Sequence, residues 1–206
     1  MDLTKLREPL KAHEIDFRIQ SINKAGYATI LSYKDARVDM NRLDEVCGPQ
    51  NWQRDHKEIK NVIYGGIGIR TEIRIKPGEV NDGGWVWKWD AGTESFTEKQ
   101  KGEASDSYKR AGFNWGIGRE LYDYPVIKIQ LQKSADESKP KNGEWFIDPA
   151  NGNPKQGWGL QLKAWTWYSQ FNKENELTYL GARDNKGKIR FQFGTYVAPT
   201  TKKATK

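Results

Sequence analysis

Between Glu98 and Tyr122 the chain reads EKQKGEASDSYKRAGFNWGIGRELY, and the spacing of its apolar and small residues restricts what can lie beside it. Ala104, Tyr108, Ala111 and Trp115 recur at steps of four, three and four, which places them on one helical face, with Ser107 bordering it. Small residues on that face require a closely packed neighbour, and a twisted sheet is the partner expected. Lys109 and Arg110 then point to the flanks, where they stay wet or meet a ligand. Lys99 and Lys101 precede them and Arg119 follows. Gly112, Gly116 and Gly118 lower helix propensity, so the helix is expected to end before Arg119. The Gly116–Gly118 GIG is not a dinucleotide fingerprint, because it lacks the third glycine and closes a helix instead of opening one.

Upstream of this helix the pattern is mostly of period two. Ile15, Phe17 and Ile19 mark a strand, and Tyr27, Thr29, Leu31 and Tyr33 mark another after a turn at Lys24-Ala25-Gly26. A helix is expected over 34–47, with Ala36, Met40, Leu43 and Val46 or Cys47 inward, ended by Gly48-Pro49. Trp52 to Lys60 reads as a strand. In the next, Ile67, Ile69, Ile73 and Ile75 share one face while Arg70, Glu72, Arg74 and Lys76 share the other. Pro77-Gly78 makes a turn, and Trp85, Trp87 and Trp89 then alternate with Val86, Lys88 and Asp90. The expected class is α+β: an antiparallel sheet of about five strands packed on the closing helix, in a domain spanning 1–125.

Residues 126–198 read as a C-terminal β and aromatic extension. Val126–Leu131 is a strand, 133–142 (KSADESKPKN) a linker or long loop, and Leu160–Phe171 a short aromatic-rich helix. Asp184-Asn185-Lys186-Gly187 between two apolar runs signals a hairpin. The tail 199–206 is basic and expected to be disordered.

Charge is distributed unevenly. Residues 1–125 hold 20 Lys/Arg and 20 Asp/Glu, whereas 126–206 hold 14 and 7, which accounts for the net charge of +7. Any nucleic-acid binding by the first part therefore needs cations clustered in space. The C-terminal excess is read as a second DNA site, a partner site or an aid to solubility. No apolar run reaches about 18 residues, so no membrane span is expected. The charged N-terminus lacks an apolar leader, and Cys47 stands alone, which together point to a reducing cytoplasm.

Catalytic signatures are sparse. His13 and His56 have no ligand spacing with Cys47, and there is no GxxxxGK[ST], GxSxG or HExxH. The expectation is a binding protein, not an enzyme, with no catalytic residues, no metal and no cofactor. The alternative is a metal-dependent nuclease using scattered carboxylates, for which Asp35, Asp39, Asp44, Glu45, Asp82 and Asp90 are the candidates.

Two segments carry a resemblance. YKDARVDMNRLDEVCGPQNW (Tyr33–Trp52) and KGEASDSYKRAGFNWGIGRELYDYP (Lys101–Pro125) resemble the RAD-fifty-two superfamily of single-strand annealing proteins, in the form found in bacteriophage Sak-type and DdrA-type proteins. The resemblance covers about 14–125. It implies a β-β-β-α core and protomers arranged in a ring or open arc, with single-stranded DNA bound through its phosphates in an outer groove. It also implies annealing without ATP in homologous recombination and repair, with a single-strand-binding protein and an exonuclease as further partners. Carried over by position, the DNA-binding cations fall on Lys109, Arg110 and Arg18, with Lys101, Lys99 and Arg119 beside them. After Trp115 the sequence GIGRELYD replaces a more basic stretch. The stripe Trp85-Trp87-Trp89 is read as core, protomer interface or base-stacking surface.

Overall fold

A computed structural model describes residues 1–76, 79–93 and 99–198. The elements are β1 (Asp16–Ile22), β2 (Tyr27–Tyr33), α1 (Ala36–Cys47), β3 (Trp52–Ile59), β4 (Val62–Lys76), β5 (Glu79–Ala91) and α2 (Lys99–Trp115). They continue with β6 (Ile127–Gln130), β7 (Trp145–Ile147), β8 (Pro154–Gln156), β9 (Thr166–Phe171), β10 (Leu177–Arg183) and β11 (Ile189–Gly194). The class is α+β, with antiparallel sheets and, among the described residues, two α-helices. The Pro77-Gly78 turn and the 199–206 tail lie outside the described residues, as do the side chains of Ile73, Ile75, Asp82 and Lys99.

The expected five-stranded sheet is divided. β3, β4 and β5 form one three-stranded sheet, whereas β1 and β2 pair with β6 in another. The chain clusters into two compact units that interleave in sequence: 1–16 with 34–122, and 17–33 with the chain from Asp123 onward. Local pattern identified β1 and β2 as strands but carried no information on which sheet they join. That choice is made by β6, whose buried Ile127 and Ile129 lie in register with Ile30 and Ala28.

In the first unit, β3-β4-β5-α2 forms a β-β-β-α core. Alternation gives the sheet two faces. Ile67 and Ile69, both fully buried, face α2. Gly66 and Gly68 face the other way, in register with Trp89 and Trp87. α2 approaches β4 closely: a Cβ on Gly65 would stand 2.6 Å from the amide nitrogen of Tyr108 and 2.7 Å from the carbonyl carbon of Ser107. The small face of α2, with Ser107 and Ala111 fully buried, thus meets a residue with no side chain at all. The Trp115 indole N–H donates to the Ile67 carbonyl at 2.9 Å and ties the far end of the helix to the same strand. α2 ends at Trp115 because Gly116, at φ +103°, turns left-handed. The Gly116 amide then donates to the Phe113 carbonyl and the Ile117 amide to the Gly112 carbonyl, a Schellman cap.

α1 begins on Asp35, whose carboxylate accepts from the Arg37 amide, and stops at Gly48, as its sequence predicts. Its inward face differs from the apolar one expected. Val38, Asp39, Arg42, Leu43 and Cys47 are buried, while Ala36 and Met40 are only half-buried. Arg42 is accommodated because its guanidinium donates to the Glu8 carbonyl at 2.8 Å and the Lys5 carbonyl at 3.3 Å, and pairs with Glu14 at 3.5 Å.

The second unit packs β1-β2-β6 and β9-β10-β11 around one core of Ile30, Ile127, Trp145, Trp165 and Leu180. Phe17 stacks on Trp167 with ring centroids 3.6 Å apart. The aromatic helix expected over 160–171 is instead a single 3-10 turn, Leu162–Ala164, followed by β9. Thr166, Trp167, Tyr168 and Phe171 are β-branched or aromatic and better suited to a pleated surface. The 133–142 segment is a folded loop: Ser134 donates to the Lys139 carbonyl, and Asp136 accepts from the amide and hydroxyl of Ser138. The expected hairpin is present as β10 and β11.

Candidate nucleic-acid interface

Lys109 and Arg110 leave α2 on its two flanks. The charge of Lys109 is felt by Asp35, Asp39 and Lys34, which places it on the α1 side. Among the described residues its ammonium forms no ion pair. The main-chain carbonyl of Lys109 accepts from the ammonium of Lys34, 3.1 Å away. Lys34 is 1 % exposed, paired with the buried Asp39, and lies 4.3 Å from the centre of the Phe113 ring.

Arg110 points the other way, over the end of β5. Its Nε lies 3.2 Å from Asp90 Oδ1, and Asn114 Nδ2 donates to Asp90 Oδ2 at 3.2 Å. With 40 % of its side chain exposed, Arg110 keeps an accessible edge, but part of its charge is balanced.

The C-terminal end of α2 gathers cations that were not legible in the sequence as a group. Lys88 donates to the Asn114 carbonyl at 2.8 Å, its ammonium 4.4 Å from the Trp115 ring centre. Arg119 donates to the Phe113 carbonyl at 2.8 and 3.0 Å and to the Asn114 carbonyl at 3.1 Å. Burial first, then the charges of Arg119 and Arg7, hold the Lys88 pKa below the ordinary lysine value. Arg7 also packs its stem against Gly116. The last carbonyls of a helix carry partial negative charge, so they can hold these cations without cancelling them. Only the Lys109-Arg110 pair is contiguous in sequence. Lys88 and Arg7 come from distant segments, and the one available signal was the odd lysine among the tryptophans of β5.

The remaining expected positions are dispersed. Lys101 is exposed near the start of α2 and has a partner of its own, and Lys99 is the first residue of that helix. Arg18 is exposed on β1, in the other unit, with its guanidinium 5.5 Å from the Tyr33 ring centre. It faces away from Phe17 and Ile19, as strand alternation predicts. Trp87 and Trp89 are half-buried and stack at 5.3 Å on the sheet face away from α2, with Lys57 over Trp89 at 4.2 Å. Trp85 is 39 % exposed.

Four of the six candidate carboxylates have structural partners. Asp35 caps α1, Asp39 pairs with Lys34, Asp44 accepts from the Trp52 indole at 2.7 Å, and Asp90 holds Arg110 and Asn114. Glu45 is exposed. Among the described residues no three His, Cys, Asp or Glu side chains gather as a metal site requires, and no helix is long and apolar enough to cross a membrane.

A helix seated on a three-stranded sheet carries cations along its flanks and holds others on its terminal carbonyls, so this face of the molecule presents positive charge. Such a surface suits a phosphate backbone. Residues 3–140 match the Rad52/22 family of double-strand break repair proteins, and the chain belongs to that family. It is 29 % identical over 126 residues to the single-stranded DNA-binding protein DdrA of Deinococcus radiodurans, covering 59 % of this chain and 54 % of that protein. To the single-stranded DNA-binding protein DdrA of Deinococcus deserti it is 30 % identical over 148 residues, covering 68 % and 67 %. The chain thus spans little more than half the length of the first relative.

Proposed function

We propose that this chain binds single-stranded DNA through its phosphates and pairs complementary strands without nucleotide hydrolysis, as a binding protein of recombination and repair. The observation that carries the reading is the group of cations on α2 and around its C-terminal end, Lys109, Arg110, Arg119 and Lys88, in a member of the Rad52/22 family. Both relatives bear the name single-stranded DNA-binding protein. Backbone contacts position a strand but carry no sequence information, so the base edges stay free to meet a second strand. Self-association into a ring or arc belongs to the same reading, since repeated weak contacts along one strand become tight through effective concentration.

Mixing two complementary oligonucleotides with the protein in the absence of ATP tests it. Pairing faster than the spontaneous rate is expected, and an unchanged rate would refute annealing. Electron microscopy of the same sample reads the assembly, with rings or arcs expected and isolated monomers on DNA counting against self-association.

A further inference from the structure

The second unit holds a cleft of about 640 Å³ whose walls come from 132–135, 142–144, 159–161, Trp165 and the β10–β11 turn. Residue 140 is the last to match the Rad52/22 family, so most of these walls lie beyond it. Lys133, Lys186 and Lys188 line the cleft, as do Arg190, Glu144 and Asp184.

The two carboxylates are already committed. Arg190, 6 % exposed, makes a bidentate pair with Glu144 at 2.7 and 2.8 Å and reaches Asp184 at 3.3 Å. It also donates to the Gln130 carbonyl at 3.1 Å and lies 4.6 Å from the centre of the Trp165 ring. The other oxygen of Asp184 accepts from the main-chain amides of Lys186 and Lys188, both at 3.0 Å. The turn is thereby fixed, and its two lysines project from a rigid support. Among the described residues none of the three cleft lysines forms an ion pair. The lining is left with a positive excess that the protein does not neutralise, in the part of the chain that carries the whole net charge.

A lysine is a compact point charge suited to a phosphate oxygen. Gln132, Asn142 and Gln161 add side-chain amides to the wall, groups that match base edges and sugar hydroxyls. The volume lies within the range of small-molecule sites, roughly 300–1,000 Å³. Trp158, next in the chain to Gly159 of the wall, is 71 % exposed, while its amide is anchored to the Lys141 carbonyl at 2.7 Å. An exposed indole on an anchored main chain offers a stacking surface for a base.

We infer that this cleft is a second nucleic-acid site, holding a segment of single strand by its phosphates on Lys133, Lys186 and Lys188. The inference rests on the single-strand reading above and is separate from the α2 cations. An acidic protein segment would meet the same charge, but it would leave the amides and the exposed indole without a role.

The test measures fluorescence anisotropy of a labelled oligothymidylate against salt concentration. For Lys133→Ala/Lys186→Ala/Lys188→Ala, the slope of log K against log salt is expected to fall in magnitude by about 2, at about 0.7 per lost phosphate contact. The matching triple Lys→Arg variant keeps the slope. Trp158→Ala weakens binding about tenfold with the slope unchanged, because stacking releases no counterions. If wild type binds and Lys109→Ala/Arg110→Ala lowers the slope while the triple alanine variant does not, the cleft assignment fails and the single-strand reading stands. If wild type binds no single strand, that reading fails and the cleft assignment with it. Lysine-dependent binding of poly-L-glutamate, with the DNA slope unmoved, would assign the cleft to an acidic protein partner and overturn the proposal.

Discussion

The ammonium of Lys34 lies 3.1 Å from the main-chain carbonyl of Lys109, so a buried cation from outside α2 holds the helix at a residue that is itself a half-buried candidate DNA contact. Lys34 is paired in turn with Asp39, whose second oxygen has no hydrogen-bond partner among the described residues. Burying two ions costs solvation that their mutual attraction repays only in part. Removing one partner should therefore cost more than removing both. Asp39→Ala is expected to lose about 3–5 kcal/mol by stranding the Lys34 charge, whereas Lys34→Met with Asp39→Val stays within about 1 kcal/mol of wild type. Urea unfolding midpoints at unchanged m-value provide the comparison.

The same pair makes stability depend on pH in a defined sense. Burial pushes the Asp39 pKa up to about 6, against an ordinary 3.8, although Lys34 pulls it down. The folded chain then binds this proton more tightly than the unfolded chain does. The resulting stability is fully present below about pH 4 and is lost as pH rises through about 6. Burial raises the pKa of Glu120 as well, with the same sign, so wild type alone would report both groups. Subtracting the Lys34→Met/Asp39→Val curve isolates the pair. The difference should decline between pH 4 and 6.5, before the lowered pKa of the buried Lys34 acts with the opposite sign at higher pH, and a difference that rises between pH 4 and 6.5 would contradict the assignment.

Asp90 restrains Arg110, and this gives a prediction whose sign separates binding from catalysis. Asp90→Asn removes one negative charge beside α2 and releases the guanidinium, so single-strand affinity should rise several-fold at low salt. Were Asp90 a metal ligand of a nuclease, the same change would instead abolish cleavage of labelled DNA in Mg²⁺ or Mn²⁺. Lys109→Ala/Arg110→Ala should weaken binding and flatten the salt slope by about 1.4, for two lost contacts. The two variants thus move affinity in opposite directions on one anisotropy titration.

The elements that were legible in the sequence are those whose periodicity comes from local packing. The face of α2, the Gly48-Pro49 stop and the β10–β11 turn are all written within a dozen residues. What was not legible depends on partners distant in sequence. β1 and β2 alternate correctly, yet their sheet is completed by β6 about a hundred residues later. Asp39 and Arg42 look like solvated helix charges until Lys34 and the carbonyls of Lys5 and Glu8 are placed beside them. At the candidate site, Lys109 and Arg110 stand out in sequence as adjacent cations to which the family resemblance points, but that Arg110 shares Asp90 with Asn114, and that the Asn114 carbonyl gathers Lys88 and Arg119, depends on tertiary packing.

Gly65 sets how closely α2 can approach the sheet, and so where its cations stand. A Cβ at this position would meet main-chain atoms, the Tyr108 nitrogen at 2.6 Å and the Ser107 carbonyl carbon at 2.7 Å, which cannot rotate aside as a side-chain tip can. Gly65→Ala must therefore displace the helix or bend β4. Overpacking of this kind typically costs about 1–3 kcal/mol. Because Ser107 and Tyr108 immediately precede Lys109, the displacement also moves the carbonyl that Lys34 holds. The variant is expected to keep its helix and strand content by circular dichroism, to unfold at a lower urea concentration, and to bind single-stranded DNA more weakly at temperatures where it remains folded. Wild-type affinity in a destabilised Gly65→Ala protein would show that helix seating and the binding surface are uncoupled.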